Sequence, residues 1–161
     1  MKGFKATNLD MTCRDYQFSL GTHKHEGKIV PCRSGFHFCK NIEDIWAYYS
    51  SNACRIFEVE ATGETIENGD KVVTNEINFI REINYEDYVG HKDRWVRQVV
   101  ANKGIGLDIL INDEDWTVRS EVAKQGYGLD ILVNARHWIV RREVAKHGYG
   151  LDILVNDREP D

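Results

Sequence analysis

The side chains most able to do chemistry are concentrated in the first third of the chain. They are three histidines and two cysteines, namely His23, His25, Cys32, His37 and Cys39. Thiolate and imidazole groups are the ligands that zinc prefers, and four of them brought together would hold the ion. However, the chain has no Cys-x-x-Cys pair to sharpen that pattern. We therefore expect buried thiols and ordinary polar histidines, with no metal and no cofactor, and keep a zinc cluster as the alternative.

Two further arrangements are candidates for catalysis. A reactive thiol at Cys32 or Cys39 needs a base such as His37 within hydrogen-bond reach and a third group to orient that base. Glu58 and Glu60 lie two residues apart on a predicted strand, so they share a face, as paired acid–base carboxylates do. The simpler interpretations are inert thiols and an exposed acidic strand face, and we predict no catalytic residue.

Composition narrows the class of protein. The 161 residues are 42% hydrophobic and 29% charged, which is typical of a soluble globular protein. The formal net charge is −5, and neither half has the basic excess that binding to nucleic acid needs. No apolar run approaches the roughly 18 residues of a membrane span, and no secretory signal is evident. We expect a cytoplasmic protein with reduced cysteines that binds neither nucleic acid nor membrane.

The second half of the chain contains a 22-residue repeat. The segment Leu-Asp-Ile-Leu occurs at 107–110, 129–132 and 151–154. The same step superposes three further sets, which are Gly104, Gly126 and Gly148; Arg97, Arg119 and Arg141; and Ala101, Ala123 and Ala145. The periodicity within each copy predicts two short helices separated by a Gly-x-Gly turn. A lone copy buries too little apolar surface to fold, so neighbouring copies must stack.

The repeat resembles a known class. Its pattern, Trp-x-Val-Arg-x-x-Val-Ala followed by Leu-Asp-x-Leu-x-Asn, is similar to leucine-rich-repeat variants and to short HEAT-like repeats of bacterial proteins. The resemblance implies a short α-solenoid over residues 91–161 that contacts another protein.

The arginines of the repeat have two interpretations. They either pair with Asp108, Asp130 and Asp152 between neighbouring copies, or form a contact strip with two tyrosines. Arginine and tyrosine are both enriched at binding hot spots. The predicted binding face consists of Arg97, Arg119, Arg141, Tyr127 and Tyr149.

Residues 1–85 show a different pattern. Alternating or apolar runs predict strands at 16–20, 35–39, 55–61 and 78–83, and an amphipathic segment capped by Asn41 predicts a helix at 41–49. The expected fold class is therefore α+β, with a small, mostly antiparallel head at 1–85 followed by the helical repeats at 91–161.

The head resembles an uncharacterised domain of bacterial, phage and prophage proteins. The similarity lies in Met1–Thr7, Cys32–Cys39 and Phe57–Glu64. It implies a non-enzymatic interaction module that docks on a host protein complex, for example as an anti-CRISPR or other anti-defence inhibitor. A second resemblance, to ADP-ribosyltransferase-like folds, implies the alternative of a head that binds NAD or transfers ADP-ribose. Glu58 or Glu60 would then act on a target that the repeats select.

Overall fold

The computed structural model describes residues 1–50 and 53–155. The chain divides into two compact units, Met1–Ile83 and Asn84–Asp161. The first unit is built on an antiparallel sheet, and the second contains six α-helices in its described part. The predicted α+β class is thereby confirmed.

The first unit contains a sheet of seven strands and a separate hairpin. In chain order its strands are β1 (Lys2–Thr7), β2 (Thr12–Cys13), β3 (Tyr16–Gln17), β4 (Gly21–Lys24), β5 (Phe36–Cys39), β6 (Arg55–Ala61), β7 (Thr65–Asn68), β8 (Lys71–Thr74) and β9 (Glu76–Glu82). The large sheet has the order β4-β9-β6-β1-β5-β8-β7, and β2 pairs with β3. Every pairing in the large sheet is antiparallel. The central strand of the order is β1, although it comes first in the sequence.

Alternating apolar residues account for the core of this unit. In β6 the side chains of Phe57, Val59 and Ala61 are buried at every second position, as the period of a strand requires. They pack with aromatic residues of neighbouring segments, including Phe18 and Phe79, in one hydrophobic cluster. The central strand β1 departs from this rule, because the buried position opposite Phe57 is Lys5.

Two local expectations for this unit need correction. The predicted helix at 41–49 is a single 3₁₀ helix at Glu43–Ala47, and Asn41 does not cap it. Instead, the Asn41 backbone and side-chain amides both donate to the Asp44 carboxylate. The predicted strand at 16–20 stops at Gln17, since Phe18 turns into the core.

The second unit alternates long and short helices. After a 3₁₀ helix at Tyr85–Tyr88 come α1 (Arg94–Asn102), α2 (Leu107–Leu110), α3 (Trp116–Lys124), α4 (Leu129–Leu132), α5 (Trp138–Lys146) and α6 (Leu151–Leu154). The long helices pack α1 on α3 and α3 on α5. Their buried faces repeat the same residue type, with Val100, Val122 and Val144 fully enclosed. None of the helices formed by residues 1–50 and 53–155 has the length and apolar character needed to cross a bilayer.

Glycine is required just before each short helix. Gly106, Gly128 and Gly150 have left-handed backbones, with φ of 60°, 58° and 64°. A Cβ at any of them would come closer than 3.0 Å to a branched side chain 17 residues earlier in the chain, which is Val89, Ile111 and Val133 respectively. Each Gly therefore allows a close approach to the preceding copy as well as an unusual turn.

Candidate functional sites

The first unit contains an open cavity of about 580 Å³. Its walls come from β1, from the hairpin region around Cys13–Phe18, from the segment before β5 and from Tyr48 and Tyr49. Cavities of a few hundred Å³ with mixed apolar and polar walls are typical of small-molecule sites. The sheet order produces this one, because it brings β1 beside β5.

Lys5 is the most unusual residue of this cavity. Its side chain is buried, with 5% of the residue exposed. Nζ donates to the His37 carbonyl oxygen at 2.8 Å, lies 3.9 Å from Cys13 Sγ and is 5.0 Å from the centroid of the Phe18 ring. No carboxylate in the described part of the chain pairs with it. Burial lowers the pKa of Lys5, because the charged ammonium loses its hydration there.

His37 stabilises the turn before β5, which forms part of the cavity wall. Its Nε2 accepts a hydrogen bond from the Cys32 backbone N–H at 2.8 Å, across the turn before β5. Burial lowers the pKa of His37, and the nearby positive charges of Lys5 and Arg14 lower it further. The imidazole is therefore held neutral, with Nε2 engaged as an acceptor. It holds the turn and is not free to deprotonate a thiol.

The cysteines of this region differ in environment. Cys13 lines the cavity, and its Sγ lies 3.3 Å from the Tyr49 hydroxyl. Burial and the neighbouring Cys13 raise the pKa of Tyr49. Burial also raises the pKa of Cys39 to about 11. Because a thiolate is the nucleophilic form, this shift makes the Cys39 thiol a weak nucleophile at neutral pH.

The three histidines of the alternative zinc cluster bind other groups. His23 bonds to the Tyr16 hydroxyl and the Ser19 carbonyl, while His25 Nε2 bonds to Ser34 Oγ. Within residues 1–50 and 53–155, no three His, Cys, Asp or Glu side chains come together as metal ligands. His25, Cys32, His37 and Cys39 line the same cavity, but they do not form a group of metal ligands there.

Of the paired carboxylates, Glu58 is bound by an arginine of the neighbouring strand. Glu58 accepts two hydrogen bonds from the Arg81 guanidinium, at 3.0 and 2.6 Å, between β6 and β9. Glu58 and Glu60 are both half-buried on the strand. The contact with Arg81 fits a cross-strand ion pair, which is a structural role.

In the second unit, the repeated arginines Arg97, Arg119 and Arg141 bind backbone carbonyl oxygens. Nη1 of each arginine donates to the two carbonyl oxygens that lie six and five residues before it. The pairs are His91 and Lys92 for Arg97, Asp113 and Glu114 for Arg119, and Ala135 and Arg136 for Arg141. Arg97 also binds the Asp113 carboxylate through two bonds, at 2.6 and 3.0 Å, and not that of Asp108. The guanidinium groups therefore fasten the loop that leads into each long helix.

A different set of side chains faces solvent on the short helices. Ile109, Ile131 and Ile153 are 62%, 55% and 54% exposed, and we call them the isoleucine row. Tyr127 and Tyr149 are also exposed, each at 42%. The sequence contains the signal for this row, because the Ile of every Leu-Asp-Ile-Leu segment recurs at the 22-residue step.

Comparison with known proteins gives one match. The profile of a family described as a domain of unknown function (DUF7666) matches residues 1–91. No curated protein and no solved structure matches the chain. The profile supports the predicted resemblance of the N-terminal part to an uncharacterised domain, and it includes every residue that lines the cavity. It does not extend to the repeats or support the ADP-ribosyltransferase resemblance. Because the match includes more than half of the 161 residues, the chain belongs to the DUF7666 family.

Proposed function

We propose that this chain is a binding protein that docks another protein on the isoleucine row of its helical unit. The copies are proposed to stack as a short α-solenoid, so that equivalent positions form rows. The packing of α1 on α3 and of α3 on α5 supports this arrangement. The close approach of Gly128 to Ile111 and of Gly150 to Val133 supports it as well.

The observation that carries the proposal is the exposure of the same apolar residue in three copies. A single exposed Ile is ordinary, but a contiguous apolar patch marks an interaction surface. Burying an Ile side chain in an interface contributes roughly 1.5–3 kcal/mol before the costs of association. Tyr127 and Tyr149 add aromatic residues of the kind that dominate hot spots. In this proposal the arginines of the predicted strip support the surface from within, because their Nη1 atoms bind backbone.

The charges beside the row indicate the chemistry of the partner. Asp108, Asp130 and Asp152 are exposed and directly precede the three isoleucines in sequence. A partner segment that presents apolar side chains flanked by Lys or Arg would match both features. Complementary charge of this kind accelerates association and makes it sensitive to salt.

Affinity capture from a lysate of the source organism or its host tests the docking surface. The variant Ile109→Glu/Ile131→Glu changes the row, while Asn112→Asp/Asn134→Asp changes exposed positions by the same formal charge. We expect wild type and the asparagine variant to retain one partner that the isoleucine variant loses, with affinity falling as salt rises. Equal retention by all three proteins would refute the row as the docking surface.

A host-directed inhibitory role stays a prediction for the partner so identified. If the captured partner belongs to a defence complex, its activity with and without this protein decides the matter. Unchanged activity at saturating protein would exclude inhibition.

A head that binds NAD or transfers ADP-ribose also stays a prediction. Labelled NAD incubated with the lysate tests it, with Glu58→Gln and Glu60→Gln as the variants. Label transferred by wild type and lost in either variant would support it. No transfer, together with no NAD-induced rise in melting temperature, would exclude it.

A further inference from the structure

The cavity of the first unit contains basic side chains without acidic partners. Lys5, Arg14, Arg33 and Lys71 line it among the described residues, and Asp15 is the one acidic residue there. In the described part of the chain, the guanidinium groups of Arg14 and Arg33 form no ion pair or hydrogen bond. Among the residues that line the cavity, four basic side chains therefore accompany one acidic side chain.

Among these basic residues, Lys5 is buried, so leaving its charge unpaired is unfavourable in free energy. An ammonium has three N–H donors, and the described residues offer its Nζ one oxygen at 2.8 Å and one sulfur at 3.9 Å. A buried charge without a counter-charge is unfavourable by several kcal/mol in general, unless a partner enters or the group loses its proton. The three groups that contact Nζ, which belong to His37, Cys13 and Phe18, also line the cavity, so a ligand there reaches the lysine.

The backbone around the cavity is strained in a way that points to a site. Arg14 and Cys32 adopt positive φ values of 53° and 62°, which non-glycine residues seldom do. Such conformations cluster at ligand-binding positions because the surrounding structure must hold them. Here one of them presents the Arg14 side chain at the cavity, and His37 fixes the other through the Cys32 N–H.

The walls indicate what else the ligand contains. Tyr16, Phe18 and Phe36 pack edge-to-face or tilted at the cavity, with ring centroids 4.7 to 5.6 Å apart, and Tyr48 and Tyr49 lie on the wall formed by the 3₁₀ region. Aromatic walls favour a flat ring system, and several cations favour a multiply charged anion over a single carboxylate. The volume of about 580 Å³ lies within the range for a ligand of nucleotide size.

We propose that this cavity binds a small phosphorylated aromatic molecule of the nucleotide class. Its phosphate pairs with the Lys5 ammonium and with the guanidinium of Arg14 or Arg33, and its ring system lies against the aromatic wall. Binding is reversible and non-covalent. The phosphate supplies the counter-charge that Lys5 lacks. The proposal is independent of the docking surface of the helical unit.

Calorimetric titration of the whole chain tests the proposal. The probes are adenosine, guanosine, cytidine and uridine 5′-monophosphates, the four unphosphorylated nucleosides, and inorganic phosphate. We expect at least one nucleotide to bind at least about tenfold more tightly than its nucleoside and than phosphate. Absence of binding by all four nucleotides at millimolar concentration overturns the proposal, and phosphate binding as tightly as nucleotide overturns the aromatic part of it.

Two variants assign the binding to the named residues. Lys5→Met should lose at least about tenfold in nucleotide affinity, whereas Lys2→Met on the exposed end of β1 should keep the wild-type affinity. Arg14→Gln/Arg33→Gln alters only exposed side chains, and it should weaken binding in a protein that folds normally. The control variant Lys2→Gln/Lys28→Gln removes the same number of positive charges as Arg14→Gln/Arg33→Gln, also from exposed positions. Nucleotide affinity equal to wild type in both cavity variants would place the ligand elsewhere and refute the assignment.

Discussion

The two units treat buried charge in opposite ways. In the described residues four charged side chains are buried, one in the sheet unit and three in the helical unit, namely Lys5, Arg97, Glu121 and Glu143. The three helical ones have partners of opposite charge. Lys5 has a carbonyl oxygen, a distant sulfur and an aromatic ring. A paired buried charge fixes local structure, whereas an unpaired one beside a cavity is available to a ligand.

In the helical unit, the buried charged groups Arg97 and Glu121 each have several hydrogen-bonding partners. Arg97 binds Asp113 with side chains 9% and 5% exposed, and the same guanidinium holds two backbone carbonyls. Glu121 accepts hydrogen bonds from Gln98 and Asn102 of α1 and from Lys124 of its own helix, α3. Removing one partner from such a group leaves the other buried and unsatisfied. Removing Lys5 leaves no charge behind.

The largest expected effect comes from breaking the Arg97 pair. Arg97→Met should lower the free energy of unfolding by about 3–5 kcal/mol, because Asp113 is then a buried carboxylate without its cation. Urea unfolding measures the change, with Arg94→Met as an exposed control. Arg97→Met/Asp113→Asn should recover part of the loss. A loss below 1 kcal/mol for the single variant would show that pairing does not matter there.

Lys5→Met should have an effect of the opposite sign. We expect a gain of about 1–2 kcal/mol in the free energy of unfolding near neutral pH, because an apolar side chain replaces an unpaired buried amine. The folded-state pKa of Lys5 lies below its ordinary value of 10.5. The wild type therefore loses stability as pH falls from about 10.5 through that folded pKa, while Lys5→Met does not. The gain should shrink toward pH 10.5. A variant that is less stable at every pH would mean that Lys5 has a structural role.

The smallest effect concerns Glu143 and appears in a pH titration. Burial alone would raise the pKa of Glu143, but hydrogen bonds from Lys146 and Arg142 outweigh it and lower the pKa below 4.5. Its contribution is therefore fully present above pH 4.5 and is lost as pH falls through the lowered folded pKa. Glu143→Gln should cost about 1 kcal/mol at pH 7, and the difference from wild type should vanish in acid. A difference that stays constant with pH would contradict the pairing.

The helices could be predicted from the sequence because their signals are local and repeated. Leu-Asp-Ile-Leu with Gly before it specifies a short helix after a left-handed turn in every copy. The strand β6 could be predicted for a similar reason, since its apolar residues alternate. The partners of Arg97 could not, because they depend on the loop that the next copy brings beside it.

The central strand and the cavity could not be predicted from local sequence patterns. In β1 the alternation is broken by Gly3, which packs against Phe38 and the Cys39 carbonyl, and by Lys5 on the core face. The cavity joins Lys5 to His37, 32 residues away, and Cys13 to Tyr49, 36 residues away. Only the order of strands in the sheet produces those contacts. A lysine between Phe4 and Ala6 in an otherwise strand-like opening is the signal that could have indicated a site.

The glycines before the short helices have a consequence for design. Each of the first two copies carries a Gly that approaches the segment before it and a branched apolar residue that meets the Gly of the following copy, as Ile111 meets Gly128 and Val133 meets Gly150. A duplicated 22-residue segment inserted between Gly128 and Leu129 would thus meet compatible neighbours on both sides. The number of copies could therefore be changed by design, and each added copy would lengthen the isoleucine row by one residue.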